Sequence, residues 1–510
     1  MTIAPLTLKE NYWETININE EDLEYLYNYL LEIEIPQTTG ELTKVLIQER
    51  IRQEKENLKN KQSGSGEIYK PMDRHAAGDK LSFPAYNWSS GKVIDVREGI
   101  NPEYPPFDVL KVDFGSTNIR EFAAGIEDHI LNSPISLDEN APVFNLTHVM
   151  KSYGEEIIHK MEDKFQSIPD LVKIAGAWFP RSLLVDVNIG HLNLSEAVLE
   201  VANGGPLPTK SILDQIELPT DVNLKLTEFS MNLALQEDGR FDEVGPSGET
   251  LWFLRRMEPD GVQNPPMFLS YEPDDIDRSN LGEYYRSLTD LVYDELEPEG
   301  DFPLKANEIE VSLIYPHWRA GTLPLSRSLA RLLPTAYEAP RVKFTFIDEN
   351  NGKSYPGWVV RPHRYVYGLK EWYEENNLIP GSLLMVKKGG NPGEVHIKAR
   401  KKRPSKEWIR TVLVGADGGI VFTMLKQQIS NEVDERMVIA VPDTRGLDKI
   451  WETSSKQRGQ TTKTVLKIMR ELMKLSLQGN VHAQELYAGV NIVRRCPPGV
   501  ILYNLLNNSS

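Results

Sequence analysis

The sequence predicts an α+β multidomain protein that combines winged-helix-like units with two small β-barrels, and three observations carry that prediction. The chain has 510 residues, 40% hydrophobic and 26% charged, an ordinary globular composition with enough length for several domain-sized cores. Apolar residues at helical spacing alternate along it with short strand-like runs punctuated by glycine and proline. The charge is polarised: residues 341–510 hold 27 Lys+Arg against 16 Asp+Glu, whereas residues 1–340 hold 30 against 58. Lysine and arginine bind nucleic acid by neutralising phosphates, so the carboxyl-terminal third is the expected DNA-binding part. The acidic remainder is expected to meet protein.

The stretch His191–Pro259 sets the pattern. Asn193 followed three residues later by Glu196 is a capping-box variant, and Leu194, Val198, Leu199 and Ala202 keep helical spacing until Gly204-Gly205. Thr209 can cap a short second helix carrying Ile212 and Ile216. A third runs from Asn223 to Gln236, with Leu226, Phe229, Leu233 and Ala234 on one side. Phe241 and Val244, the turn Gly245-Pro246-Ser247-Gly248, and Leu251–Leu254 read as a hairpin. This order of elements, with Asp238-Gly239-Arg240-Phe241 leading into a hairpin that ends on Trp252 and Leu254, resembles the HARE-HTH family of winged helices, which includes the bacterial RNA polymerase delta subunit. The resemblance covers about a seventh of the chain. It implies work on or near nucleic acid, in transcription or restriction machinery, without catalysis by this module. The third helix offers Lys225 as its only base against Asp221, Glu228, Glu237 and Asp238. That face is expected to repel DNA and, by analogy with the delta subunit, to touch a protein such as RNA polymerase.

Taken in order, residues 1–65 are predicted to be helical. EEDLEYLYNYLLEIEI and ELTKVLIQERIRQEKENLK flank Pro36, with Thr38 or Thr39 as the cap, and they open either another winged helix or a plain helical hairpin. After a Gly/Ser linker, residues 66–140 read as short strands of a small barrel, broadly like the KOW or Tudor type; Tyr86, Trp88, Tyr104 and Phe107 line a groove or fill its core. Residues 141–262 comprise helical support, including DLVKIAGAWFP and RSLLVDVN, and the winged helix. An acidic connector at 263–305 carries an amphipathic helix with Leu281, Tyr284, Leu288, Leu291 and Val292.

Residues 306–440 hold the second recognisable pattern. Leu323-Pro324 precedes a short helix, Asp348 through Gly352-Lys353 makes a hairpin, Gly368 through Trp372 opens another helix, and Asn377-Leu378 with Gly381 makes a turn. The order resembles the DNA-binding pseudobarrel of plant auxin-response factors, which also occurs in some restriction endonucleases. The first strand pair carries fewer basic residues than that family's. The resemblance implies barrel arms in the major groove, with Arg327, Arg331, Arg361, His363 and Arg364 as the contacts. Arginine suits this because its planar fork takes guanine O6 and N7, or a phosphate, with two hydrogen bonds. Downstream, Lys398, Arg400, Lys401, Lys402, Arg403, Lys406 and Arg410 form the densest basic run, expected to be a phosphate-contacting strip or else a solvated loop. The last domain, 441–510, is predicted to be winged-helix-like: a helix with Leu466, Met469, Leu472 and Met473, a second from Val481 to Arg495, and a strand at Val500–Tyr503. Arg494 and Arg495 are expected to reach phosphates, or else to neutralise a helix end.

Several chemistries have no sequence signature. There is no Gly-x-x-x-x-Gly-Lys-Ser/Thr loop, His-Glu-x-x-His, Gly-x-Ser-x-Gly or Cys-x-x-Cys. The single cysteine, Cys496, excludes an internal disulfide and reads as structural. Glu162-Asp163-Lys164, the nearest text to a nuclease triad, lies on a predicted helix, and His191 and His317 read as hydrogen-bonding residues rather than ligands. No cofactor, metal or membrane span is expected, and the chain is expected to be cytoplasmic. The expected function is non-enzymatic DNA binding within the transcription apparatus. The alternatives are the recognition part of a restriction or repair enzyme, or a protein-binding scaffold.

Overall fold

The computed structural model describes residues 11–63, 67–83, 86, 89–102, 104–115, 118–132, 141–216, 218, 222–271, 273, 294–297, 307–336, 338–391, 393–416, 418–454 and 461–506. The chain is mixed helix and strand and divides into two compact units, residues 1–184 and 185–510. Among the described residues no helix is long and apolar enough to cross a membrane.

In the first unit Asn19 opens α1 (Glu20–Ile33) with a reciprocal capping box to Asp22. Leu26 and Leu30, one turn apart, go into the core. After β1 (Gln37–Thr38), α2 (Thr39–Ser63) buries Leu42, Leu46 and Ile47. A five-stranded sheet follows: β2 (Glu67–Ile68), β3 (Lys80–Phe83), β4 (Ser89–Glu98), β5 (Asp108–Asp113) and β6 (Ile119–Ala124), hydrogen-bonded in sequence order. Its core is Leu81, Phe83, Val93, Leu110 and Val112. No β2–β6 ladder closes this sheet among the described residues, so the expected barrel is an open, antiparallel meander with one parallel edge pair. Tyr86, Tyr104 and Phe107 all line one cavity on this sheet, while Trp88 lies outside the described residues. Asn145 caps α3 (Leu146–Phe165), whose Val149, Ile157, Met161 and Phe165 are buried.

The segment DLVKIAGAWFP, expected to be helical support for the winged helix, is instead a hairpin of β7 (Leu171–Ile174) and β8 (Ala177–Pro180), and β8 pairs with β1. Positive φ at Ala175 and Gly176 makes the tight turn, which the short apolar run did not reveal. The unit boundary at Leu184 therefore cuts through the 141–262 domain read from sequence.

The second unit opens with α4 (Ile189–Val201), β9 (Leu207–Pro208), α5 (Thr209–Leu213), α6 (Leu224–Glu237), β10 (Phe241–Glu243) and β11 (Leu251–Leu254), with sheet order β10-β11-β9. Helix α4 begins at Asn188, whose side chain is paired in a capping box with His191. Asn193 and Glu196, expected to start the helix, instead hold Arg240 at 2.9 and 2.6 Å. A short α7 (Asp260–Gln263) completes this part; apart from Asp294–Glu297, the acidic-connector helix expected from Leu281 lies outside the described residues.

Next come β12 (Glu308–Ser312), α8 (Tyr315–Ala320), β13 (Thr322–Pro324), α9 (Arg327–Ala330), β14 (Arg341–Asp348), β15 (Ser354–Val360), β16 (Tyr365–Tyr367), α10 (Lys370–Glu375), β17 (Leu383–Lys388) and β18 (Glu394–Ala399). They form a seven-stranded sheet, β12-β17-β18-β14-β15-β16-β13, parallel only between β14 and β18, that curls into a half-barrel. Alternation along β14 sends Val342, Phe344 and Phe346 into its core with Trp372 and Tyr373. The buried Asp348 accepts the Trp372 indole N–H at 3.0 Å, so two residues of the pattern read from sequence meet across 24 positions. At Gly368, φ is +120° and a side chain would collide with the Pro356 carbonyl, which explains glycine there.

The chain ends with β19 (Lys401–Val414), β20 (Ile420–Asn431), α11 (Thr444–Ser454), α12 (Thr461–Met473), α13 (Ala483–Asn491) and α14 (Pro498–Leu506). The strand expected at Val500–Tyr503 is the middle of α14. Val500, Ile501, Leu502 and Asn504 are all buried, so the segment carries no polar stripe and its spacing does not separate helix from strand. No strand occurs among the described residues of 441–506, so the wing expected there is absent; the helices instead pack on Val412, Ile420 and Phe422 of the preceding hairpin.

Candidate nucleic-acid interface

The densest basic run is a strand, not a loop. Residues 401–414 pair with 420–431 in an antiparallel ribbon, and Pro404, which cannot donate to a ladder, sits where the register shifts between Lys401 and Ser405. From there the even positions share a face: Lys406 opposite Gln428, Trp408 opposite Lys426, Arg410 opposite Met424. Trp408 is 61% exposed, and the Lys426 ammonium lies 5.4 Å from its ring centre.

The cations of this run fall into two groups. Lys401, Arg403 and Lys406 are exposed and carry no ion pair among the described residues. Lys398 faces Glu349 at 3.9 Å, Arg400 holds Glu310 at 2.9 Å and Glu432 at 3.1 Å, and Lys402 holds Glu407 at 2.6 Å. The Lys402 and Ser405 hydrogen bonds also draw the Glu407 carboxyl below its usual range. Arg410 is largely covered, donates to the Glu435 carbonyl at 2.6 Å and lies 3.4 Å from Glu485; burial lowers its affinity for its proton.

The five residues expected on the barrel arms gather at one edge of the seven-stranded sheet. Leu325 N–H donates to the Arg364 carbonyl, which sets the helix bearing Arg327, and the adjacent Arg331, beside the turn of Arg361, His363 and Arg364. All five are exposed. Arg361 spends its guanidinium on the Ala336 and Ala339 carbonyls and Arg364 on that of Glu295, so both brace loops. The His363 ring stacks near Tyr365, centres 6.3 Å apart.

Arg494 and Arg495, adjacent in sequence, diverge completely. Arg495 is 1% exposed and cannot reach a phosphate. It grips Asp294 with two hydrogen bonds of 2.9 and 2.6 Å and lies 2.8 Å from Glu295, which also contacts His317 at 3.2 Å. His317 reaches Thr322 through its other ring nitrogen, and Tyr487 donates to Asp294 at 2.6 Å. Burial opposes charge on Glu295, but Arg495 and His317 outweigh it and hold the carboxyl far below its normal range. Removing one member of such a set leaves an uncompensated buried charge, a loss of roughly 3–5 kcal/mol.

Arg494 instead lines a cleft of about 870 Å³ with Lys449, Lys463 and Lys467. Sequence reading passed over these three lysines and Lys426, because they are spread over helices and a strand rather than run together; the net surplus of base after residue 341 was their only trace. Glu162 of the weak nuclease-like text lies on α3 and binds Lys173 and Thr39. Among the described residues no group of three or more His, Cys, Asp or Glu side chains is placed to hold a metal. No protein-family model matches this chain, and no significant match was found among curated proteins or solved structures.

Proposed function

We propose that this protein binds duplex DNA through its basic carboxyl-terminal third, as a non-enzymatic factor of the transcription apparatus. The observation that carries the reading is the ribbon on which Lys401, Arg403 and Lys406 stand exposed and unpaired among the described residues, next to an open tryptophan flanked by Lys426. A two-stranded ribbon fits a major groove about 12 Å wide, and unpaired cations are the groups that displace counterions from phosphates. Arg327, Arg331 and His363, exposed at the sheet edge, supply a second set of contacts.

The two helical modules, 20–63 with 146–180 and 189–254, are in this proposal winged helices that face protein, RNA polymerase being one candidate. In the second, α6 buries Leu226, Thr227, Phe229, Ser230, Met231, Asn232, Leu233 and Leu235, which leaves little surface to read a groove. Leu194 and Val201, one face of α4, are exposed and suit a protein contact instead.

The test is binding of the full chain to random duplex DNA across a salt series. Expected is a steep loss of affinity with salt, and a log–log slope shallower by roughly 2–3 when Lys401, Arg403 and Lys406 become alanine. No binding at low salt, or a triple variant indistinguishable from the parent, would sink the proposal. Magnesium-dependent cleavage of the duplex would replace it with the restriction or repair reading.

A further inference from the structure

We infer that the cleft between the hairpin end and helices α11 and α12 is a binding site for a nucleoside polyphosphate, distinct from the exposed Lys401, Arg403 and Lys406 of the DNA-binding ribbon. Its floor is apolar: Val414 and Ile420 from the hairpin, Ile450 from α11, Ile468 from α12, and Val493. Its rim is cationic: Lys449 on α11, Lys463 and Lys467 one turn apart on α12, and Arg494.

The lining includes one carboxylate, Asp443, and that group is engaged in accepting the Gly446 N–H at 2.9 Å. Lys449, Lys463 and Lys467 have no anionic partner among the described residues. Like charges lining one concavity repel each other, and a bound polyanion relieves that repulsion. Helix α12 also presents the Thr464 hydroxyl beside its lysines to orient such an anion, while the Thr453 hydroxyl on α11 donates to the Lys449 carbonyl at 2.8 Å.

Size and shape select the ligand class. The cleft, about 870 Å³, falls within the roughly 300–1,000 Å³ of small-molecule sites, where an apolar lining and a few polar groups act together. A duplex carries its phosphates on a convex surface and cannot press a base against a floor at the bottom of a concavity. A nucleoside polyphosphate can do both, with its base over Ile450 and Ile468 and its phosphates at the lysines. Inorganic polyphosphate satisfies only the rim.

The experiment is calorimetric titration of the full chain with ATP, with AMP and with inorganic tripolyphosphate, alongside K463A/K467A, Lys449→Glu and K401A/R403A/K406A. Expected are ATP binding in the micromolar range, at least fivefold weaker binding of tripolyphosphate and of AMP, and at least tenfold weaker ATP binding in K463A/K467A. Lys449→Glu, on a different helix, is expected to weaken ATP binding at least fivefold, and thermal melts check that each variant is folded. K401A/R403A/K406A should bind ATP as the parent does even though its DNA binding falls, so failure of the cleft and failure of the DNA reading give different results. No ATP binding at millimolar concentration, or unchanged binding in both cleft variants, would overturn the assignment. Tripolyphosphate binding as tightly as ATP would overturn the role of the floor. Displacement of ATP by saturating duplex would assign these lysines to the DNA path instead.

Discussion

Residues 20–63 with 146–180, and residues 189–254, pass through the same succession of elements: helix, strand, helix, helix, strand, strand. Both sheets place the first strand beside the last, β1 on β8 and β9 on β11. In each, a tryptophan on the last strand donates its indole N–H to the threonine that begins the second helix, Trp178 to Thr39 at 3.0 Å and Trp252 to Thr209 at 3.1 Å. That threonine in turn donates to the third helix, to Glu162 in the first copy and to Asn232 in the second. Even the local text repeats, Trp178-Phe179-Pro180-Arg181 and Trp252-Phe253-Leu254-Arg255, each running into a tight helical turn.

The differences show what the scaffold tolerates. The first copy carries the five-stranded sheet between its second and third helices, an insertion whose loop-closure cost grows only slowly with length. In the first copy the third-helix partner is a carboxylate shared with Lys173; in the second it is a neutral amide that also accepts from Trp252 at 2.9 Å. The second copy is docked on the half-barrel, where Arg341 pairs with Asp242 and Glu258 is 3.8 Å away, and Lys343 lies 4.5 Å from the Phe253 ring centre.

The largest test removes the lock. Trp178→Ala and Trp252→Ala should each cost roughly 3–5 kcal/mol. Hydrogen exchange should show lost protection over 146–180 in the first variant and over 207–254 in the second. Full protection of 146–180 in the first would mean the shared geometry does no shared work.

The next contrast is pH. Burial, reinforced by Asp242, pushes the Glu258 carboxyl up to about 8, and burial, with Glu338 and Asp242, pushes Glu243 to about 7. The unfolded chain loses these protons near pH 4.5 while the folded chain keeps them, so stability falls as pH rises from about 4.5 to 8. Glu258→Gln should therefore stabilise the second unit by roughly 1–3 kcal/mol more at pH 8.5 than at pH 5, read from melts at the two pH values. An equal effect at both would disprove the raised pKa. For Glu162, burial acts upward but the hydrogen bonds from Lys173 and Thr39 prevail and lower it. Its contribution is present above the unfolded value and lost as pH falls, opposite in sign to Glu258.

The threonines should separate the copies more finely. Thr39→Val leaves the buried Trp178 N–H without its acceptor, a loss of about 1–3 kcal/mol, whereas in Thr209→Val the Trp252 N–H keeps Asn232 and the loss should be about 1 kcal/mol or less. Equal losses in chemical denaturation would show that the two networks are not different in the way their partners suggest. The smallest effect is expected for Glu162→Gln, below about 1 kcal/mol at pH 7 because its carboxylate is partly exposed.

Much of the architecture was readable because it is local. Apolar spacing places α1 and α6 within a few residues, and the Phe241–Leu254 hairpin follows from its Gly-Pro-Ser-Gly turn. The repeated Trp-Phe-x-Arg text, 74 residues apart, was available as a sign of the duplicated module, but the inserted sheet separates the first copy's halves and hides it. Helix α14 and the β7–β8 hairpin were misread because short apolar runs lack the polar positions that reveal a period.

By itself the sequence determined the partition of charge, the order of most helices and strands, and the basic run that becomes one strand of the ribbon. Local propensity and composition need no distant partner. Tertiary structure alone decided where the cations stand: it buried Arg495 against Asp294 and Glu295, placed its neighbour Arg494 at the rim of a cleft, and gathered Lys449, Lys463 and Lys467 there. Burial and pairing depend on residues up to two hundred positions away, and no window of sequence contains them.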